Sequence, residues 1–127
     1  MEPIFQYPDW SGKTVLIAED HDNNYAVLSA LLKKTHIRII RAHNGSEAIR
    51  IASEEPDIDL ILMDISMPDL DGIEALREIR KQLPDKIVIA QTAHELSAQI
   101  TNEKFDDFLL KPIRQKVLIE TLNKFLS

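Results

Sequence analysis

The chain has no cysteine among its 127 residues. This excludes disulfides and thiolate metal centres and favours a cytosolic setting. Glycine is scarce: Gly12, Gly45 and Gly72 are the only three. They are too scattered to form a glycine-rich phosphate loop, which argues against nucleotide binding of that kind. No apolar run approaches the roughly 20 residues that span a bilayer. The N-terminus lacks a charged start followed by an apolar core, so neither membrane contact nor a signal peptide is expected. Positive charge is in deficit, with 15 Lys+Arg against 21 Asp+Glu and a formal net charge of -6. That balance argues against a nucleic-acid partner held by phosphate neutralisation and reads as a solvated acidic surface. No effector domain follows Ser127, so DNA binding by this chain is not expected. His21, His36, His43 and His94 have no metal-ligand spacing and read as surface or loop groups.

What the chain does have is four short apolar runs that each stop at a polar group. They are Val15-Leu16-Ile17-Ala18-Glu19-Asp20, Leu60-Ile61-Leu62-Met63-Asp64, Ile87-Val88-Ile89-Ala90-Gln91-Thr92 and Phe108-Leu109-Leu110-Lys111. Apolar runs of this length, bounded by turn residues, are strands buried on both faces. In an open parallel sheet the carboxyl ends of the strands share one edge, and ligands bind there. Three carboxylates, a hydroxyl and an ammonium would then meet in one pocket, a set that can hold a divalent cation and a phosphoryl group.

Strands are expected over 14–19, 36–42, 59–63, 86–90 and 107–110, and helices over 23–34, from 44–47 up to Pro56, and over 73–83, 95–103 and 114–126. Apolar stripes support the helices: Val27, Leu28, Leu31 and Leu32; Ala48, Ile51 and Ala52; Ile73, Leu76 and Ile79; Leu118, Leu122 and Phe125. Asp20 or Asp22 can cap the first helix, and Asn44 or Ser46 the second. Residues 1–12 carry no period and read as a linker or arm whose Trp10 packs somewhere, with 13–127 as the single domain. A β-α unit repeated five times implies a parallel sheet with right-handed crossovers. The expected fold is a three-layer α/β sandwich, (βα)5 and flavodoxin-like, with the strand order 2-1-3-4-5 known for that class.

Asp64 closes the most apolar strand. It could be a simple cap, but the turn Ile65-Ser66-Met67-Pro68-Asp69-Leu70-Asp71-Gly72 follows it. There Pro68 fixes the loop and Gly72 permits a tight or positive-φ backbone. Glu19 and Asp20 are adjacent carboxylates with Asp22 close behind. Gathered with Asp64 they would repel one another, and no cation nearby in sequence relieves this. A divalent metal would. Oxygen-only donors favour Mg²⁺, Mn²⁺ or Ca²⁺ over zinc or copper. Few carboxylates combined with a phosphate favour Mg²⁺. Lys111, held between apolar residues and Pro112, can deliver its ammonium to the sheet edge. Thr92, followed by small Ala93, can cap a helix or donate its hydroxyl to a phosphoryl oxygen. Arg77, Arg80 and Lys81 read as a solvated basic face, and Met63 and Met67 as packing residues.

The order of these signals, acidic pair, Asp, Thr and Lys-Pro after four different strands, resembles the receiver domain of two-component response regulators. The resemblance covers about Lys13 to Leu126. It is most like the receivers of hybrid sensor histidine kinases in the stretch from Leu60 through Asp64 and Pro68 to Gly72, and in Ala18-Glu19-Asp20-His21, Asn24, Thr92-Ala93-His94 and Asp106-Asp107-Phe108. The arm ending Trp10-Ser11-Gly12-Lys13 is similar to the linker before such receivers. The resemblance implies that Asp64 is the phosphoacceptor in a bacterial phosphorelay. The phosphoryl group would come from a phosphohistidine on a histidine kinase or histidine phosphotransfer domain. It implies Mg²⁺ on Asp20, Asp64 and the backbone carbonyl of Ser66, with Glu19 acting through a water. Lys111 and Thr92 would contact the phosphoryl oxygens, and Phe108 would be the aromatic switch residue. Ser66 and His94 would tune the acyl-phosphate lifetime. Such a domain catalyses only its own phosphorylation and dephosphorylation, although a longer parent could be a hybrid histidine kinase. A weak homodimer is compatible with it. Between Thr92 and Lys111 the chain is roughly three residues short of the family's usual length, close to one helical turn. Lys104 takes the place of a glycine that usually closes the fourth helix.

Two other readings compete. One is an interaction module of the same fold without phosphotransfer chemistry, which the intact Glu19, Asp20, Asp64, Thr92 and Lys111 set opposes. The other is an Mg²⁺-dependent phosphohydrolase with an aspartate nucleophile. That chemistry wants an acidic residue two positions after Asp64, where this chain has Ser66.

Overall fold

The computed structural model describes residues 6–67, 70–93 and 104–127. The helix expected over 95–103, His94 and the Pro68-Asp69 pair lie outside the described residues. The elements are β1 (Thr14–Ala18), α1 (Asp22–Leu32) with a 3₁₀ turn (Lys33–Thr35), β2 (Arg38–Ala42), α2 (Gly45–Glu54), β3 (Leu60–Asp64), α3 (Gly72–Gln82), β4 (Ile87–Thr92), β5 (Asp107–Leu110) and α4 (Gln115–Leu126). The five strands run parallel in the order β2-β1-β3-β4-β5. This is the doubly wound arrangement expected of the pattern.

The sheet is covered on both faces, which is why its central strands are continuous apolar runs. Every residue of β1 and β3 is buried. Successive side chains alternate between faces. Val15, Ile17, Leu60, Leu62, Ile89 and Leu109 pack with Leu28 and Leu32 of α1 and with Leu118 and Leu122 of α4. Leu16, Ala18, Ile61, Met63 and Val88 pack with Ala48, Ile51 and Ala52 of α2 and with Leu76 and Ile79 of α3. Burying each large aliphatic side chain contributes about 1.5–3 kcal/mol.

Two helix starts follow the expected capping chemistry. The Asn44 side chain accepts from the Glu47 N–H at 2.8 Å, and the Asp71 side chain accepts from the Glu74 N–H at 2.9 Å. Helix α1 differs: His21 occupies its cap position and makes no side-chain capping bond. Neither Asp20 nor Asp22 is spent there as a cap.

Four further details depart from the sequence reading. Val27 is 55% exposed, so the stripe on α1 is Leu28 and Leu32, with Leu31 partly buried. His36 lies outside β2 and ends the 3₁₀ turn in the left-handed region at φ 64°. Arg80 is no solvated group. It donates to Asp106 Oδ2 at 2.9 Å, to the Lys104 carbonyl at 2.8 Å and to the Lys86 carbonyl, fastening α3 to the chain before β4 and β5. Gly72 has an ordinary helical backbone, and what demands glycine there is space. A Cβ would meet the Asp64 carbonyl oxygen at 2.5 Å and the Ile65 Cα at 2.7 Å.

Trp10 belongs to the core, packed with the residues under α1 and α4. Its N–H donates to the Thr35 carbonyl at 2.7 Å, and its own carbonyl accepts from Lys13 N–H at 2.9 Å. Ahead of it, the Tyr7 hydroxyl donates to Gln115 Oε1 at 3.3 Å, and the Lys34 ammonium lies 5.4 Å from the Tyr7 ring centre.

Candidate functional site

Strand register brings the polar ends together. Ala18 pairs with Met63, Asp64 with Gln91 and Thr92 with Leu110. The residues one step further on, Glu19 after β1 and Lys111 after β5, therefore emerge at the same sheet edge as Asp64 and Thr92. Lys111 N–H donates to the Thr92 carbonyl at 2.7 Å, which extends the ladder by one bond. The Lys111–Pro112 peptide is cis.

The Lys111 ammonium donates to Asp64 Oδ2 at 3.0 Å and lies 3.6 Å from Glu19 Oε1. The other Asp64 oxygen, Oδ1, accepts from the Ser66 N–H at 2.9 Å. Glu19 Oε2 accepts from the His21 N–H at 3.2 Å. Carboxylate oxygens of Glu19, Asp20 and Asp64 gather within 4.8 Å of one another. Asp64 is 1% exposed and Glu19 is fully enclosed.

Two buried carboxylates, Glu19 and Asp64, share the Lys111 ammonium, and the electrostatics of Glu19 show it. Burial pushes the Glu19 carboxyl up to about 7, and the negative charge of Asp64 adds to the rise. The bond from His21 and the charge of Lys111 pull the other way without cancelling it. Two buried carboxylate oxygens, Glu19 Oε1 and Asp20 Oδ1, have no hydrogen-bond partner among the described residues. Uncompensated oxygen donors, hard and closely spaced, fit a hard divalent cation.

One cation near the acidic pair escaped the sequence reading because it comes from another strand. Arg41 of β2 donates through Nε and a terminal nitrogen to the Glu19 carbonyl, at 3.2 and 3.0 Å. Its third nitrogen meets Asp22 Oδ1 at 2.8 Å, and its guanidinium lies 4.6 Å from the Tyr25 ring centre. Arg41 thus anchors the backbone of the acidic pair without occupying any carboxylate of the cluster.

Of the other expected residues, Thr92 is buried at the end of β4. Phe108 on β5 is partly buried, its ring edge-on to Phe105 at 5.9 Å. Ser66 meets the site through its N–H. Three of the four histidines, His21, His36 and His43, are exposed as expected.

A doubly wound parallel sheet with an acidic, lysine-bearing cup at its carboxyl edge has the donors to hold a divalent cation and an anionic group side by side. The model of the response regulator receiver domain matches residues 15–123, and the chain belongs to that family, the receivers of two-component systems. The signal transduction histidine-protein kinase BarA of Escherichia coli K12 is 36% identical over 118 residues, covering 88% of this chain and 13% of BarA. The chain spans half the length of another relative, the rice two-component response regulator ORR7. The receiver domain of the Pseudomonas aeruginosa sensor histidine kinase PA1611, solved with a magnesium ion in its active-site cleft, superposes with a TM-score of 0.83 at 32% identity, covering 91% of this chain and 98% of that one. The Saccharomyces cerevisiae Ssk1 receiver, solved together with the histidine phosphotransfer protein Ypd1, gives 0.81 at 30% identity over 96% of this chain and 92% of that one. No helix among the described residues is long and apolar enough to cross a membrane.

Proposed function

We propose that Asp64 accepts a phosphoryl group from a phosphohistidine on a histidine kinase or histidine phosphotransfer domain. The observation that carries this is the Lys111 ammonium 3.0 Å from Asp64 Oδ2, beside a carboxylate trio with two unpartnered oxygens. An Asp64 oxygen forms the new bond to phosphorus, the phosphorus–nitrogen bond to the imidazole breaks, and that nitrogen keeps the electron pair. Aspartyl phosphates are an established class of covalent intermediate. Transfer of this kind depends on positioning and charge neutralisation more than on covalent assistance.

Asp20, Asp64 and the Ser66 carbonyl would hold Mg²⁺, with Glu19 behind them, and the ion would supply charge neutralisation at the phosphoryl oxygens. Lys111 orients Asp64 and offers its ammonium to the incoming group. Thr92 offers its hydroxyl once its loop shifts, with Phe108 following as the switch residue. The new negative charge then biases the surface beyond β4. The unit doing this is residues 13–127, with 1–12 as an arm fastened through Trp10. Because phosphohistidine is made from ATP, the exchange belongs in the cytoplasm.

The test is mass spectrometry after incubation with phosphoramidate or acetyl phosphate and Mg²⁺. Wild type is expected to gain one phosphoryl group and Asp64→Asn none. A wild type that gains nothing, or an Asp64→Asn variant that gains as much, refutes the assignment. Binding of a beryllium fluoride complex, lost in Asp64→Asn, separates a working site from a fold kept only for interaction.

A further inference from the structure

One polar group at this edge of the sheet has no place in the chemistry above. Gln91 of β4 is fully buried, and among the described residues neither its Nε2 nor its Oε1 has a hydrogen-bond partner. It stands beside Asp64 in the sheet register. Two residues on from Ile89, its side chain lies on the sheet face covered by α1 and α4. Apart from Asp64, its neighbours on that face, Leu62, Ile89 and Leu109, are apolar. A methionine of the same length would fill the place without stranding a donor and an acceptor.

Gln91 lines a cavity of about 200 Å³ between α1 and the loop after β5. Val27, Leu28 and Ile113 form much of the wall, and Glu19 and Lys111 share it with Gln91. Glu19 Oε1 also lacks a hydrogen-bond partner. A water in such a place needs two to four polar contacts and occupies about 30 Å³. The cavity has room for several waters and offers a donor and an acceptor from Gln91, an acceptor from Glu19 and a donor from Lys111.

We propose that Gln91 is a positioning residue for the phosphoryl site: through water held in this cavity, its amide steadies the Glu19 carboxylate and the Lys111 ammonium from behind. The role rests on the reading of Asp64 as phosphoacceptor. It also explains why an amide occupies a core position at a cost in stability, a pattern found where function overrides packing.

The experiment compares the wild-type chain of 127 residues with Gln91→Met and Gln91→Asn. Phosphorylation rates are followed against phosphoramidate concentration at saturating Mg²⁺, alongside thermal unfolding. Gln91→Met is expected to lower the maximal rate about tenfold, the size of effect seen when the supports of a site are removed. Its half-saturating donor concentration should stay within roughly twofold of wild type, since the loss falls on the chemical step. Its unfolding midpoint should match or exceed that of wild type. Gln91→Asn, which keeps the amide, should recover most of the rate. In wild type, the Gln91 side-chain amide should show nuclear Overhauser contacts to water. An equally fast Gln91→Met protein, a loss of rate accompanied by a loss of stability, or a Gln91 amide with no water contact each overturns the role of Gln91. A wild type that takes no phosphoryl group overturns instead the assignment of Asp64 on which this rests.

Discussion

Arg41 reaches from the end of β2 to the backbone carbonyl of Glu19 and binds it with two nitrogens, at 3.2 and 3.0 Å. The residues are 22 apart in sequence. The contact holds the turn that presents Glu19 and Asp20, and it places a positive charge behind the acidic cluster. Arg41→Met is expected to weaken Mg²⁺ binding about tenfold, as loss of a residue supporting metal ligands does. Arg41→Lys should recover only part, because an ammonium cannot reproduce the planar fork. Calorimetric titration of Mg²⁺ measures both, and equal affinities across the three proteins would show that the strand alone holds the turn.

Glu19 makes the metal-free protein sensitive to pH. Its folded pKa of about 7 lies above its ordinary value near 4.5. The folded state therefore binds this proton more tightly than the unfolded state does. The corresponding stability is fully present below the ordinary value and is lost as pH rises through about 7. Urea unfolding of wild type and Glu19→Gln without metal should show the wild type losing stability relative to the variant across that window. Mg²⁺ should narrow the gap at neutral pH, since metal binding requires the deprotonated ligand set. Parallel pH profiles for the two proteins would contradict this.

Lys111 compensates a carboxylate that is almost fully enclosed. Removing one partner of a buried ion pair strands the other, at a cost of about 3 kcal/mol. Lys111→Met should therefore destabilise the metal-free protein by that order and slow phosphorylation. Added Mg²⁺ should restore part of the stability but not the rate. Unfolding titrations with and without Mg²⁺ separate the two effects.

Gly72→Ala sets two effects against each other. Alanine is favoured over glycine by about 1 kcal/mol in a helix interior, an upper bound for Gly72 at the first position of α3. The added Cβ, however, would lie 2.5 Å from the Asp64 carbonyl oxygen. Backbone must move, and it is the backbone that carries Asp64. The variant is expected to be less stable than wild type and slower to phosphorylate. A more stable protein with unchanged phosphorylation would show that the contact relaxes freely.

Trp10 is buried although it precedes the first strand. Trp10→Ala should cost about 3–5 kcal/mol, the range for truncating a large aromatic in a core. Chemical denaturation measures this directly. A loss below roughly 1 kcal/mol, the usual size for a surface substitution, would place the arm outside the cooperative unit.

The site was legible because each of its members follows an apolar run. Glu19, Asp64, Thr92 and Lys111 are visible as the points where buried strands end, and a parallel sheet has only one carboxyl edge on which to collect them. The residues that escaped reading lack such a marker. Arg41 lies within an ordinary strand, and its partner is set by the pairing of β2 with β1. Gln91 looked like one polar residue in a run, and only the packing of α1 shows that its amide is enclosed. Arg80 shares a helix face with other basic residues, but a chain crossing from Lys104 to Asp106 covers it.

By itself the sequence determined the alternation of strands and helices, the doubly wound class and the identity of the acidic cup, because period, run length and turn residues are local properties of the chain. The tertiary structure decided which groups compensate that cup: Arg41 behind the acidic turn, Lys111 on Asp64, and the crowding that only Gly72 accommodates. Those depend on distances between segments far apart in sequence. Such distances exist only after the sheet has brought the segments into register.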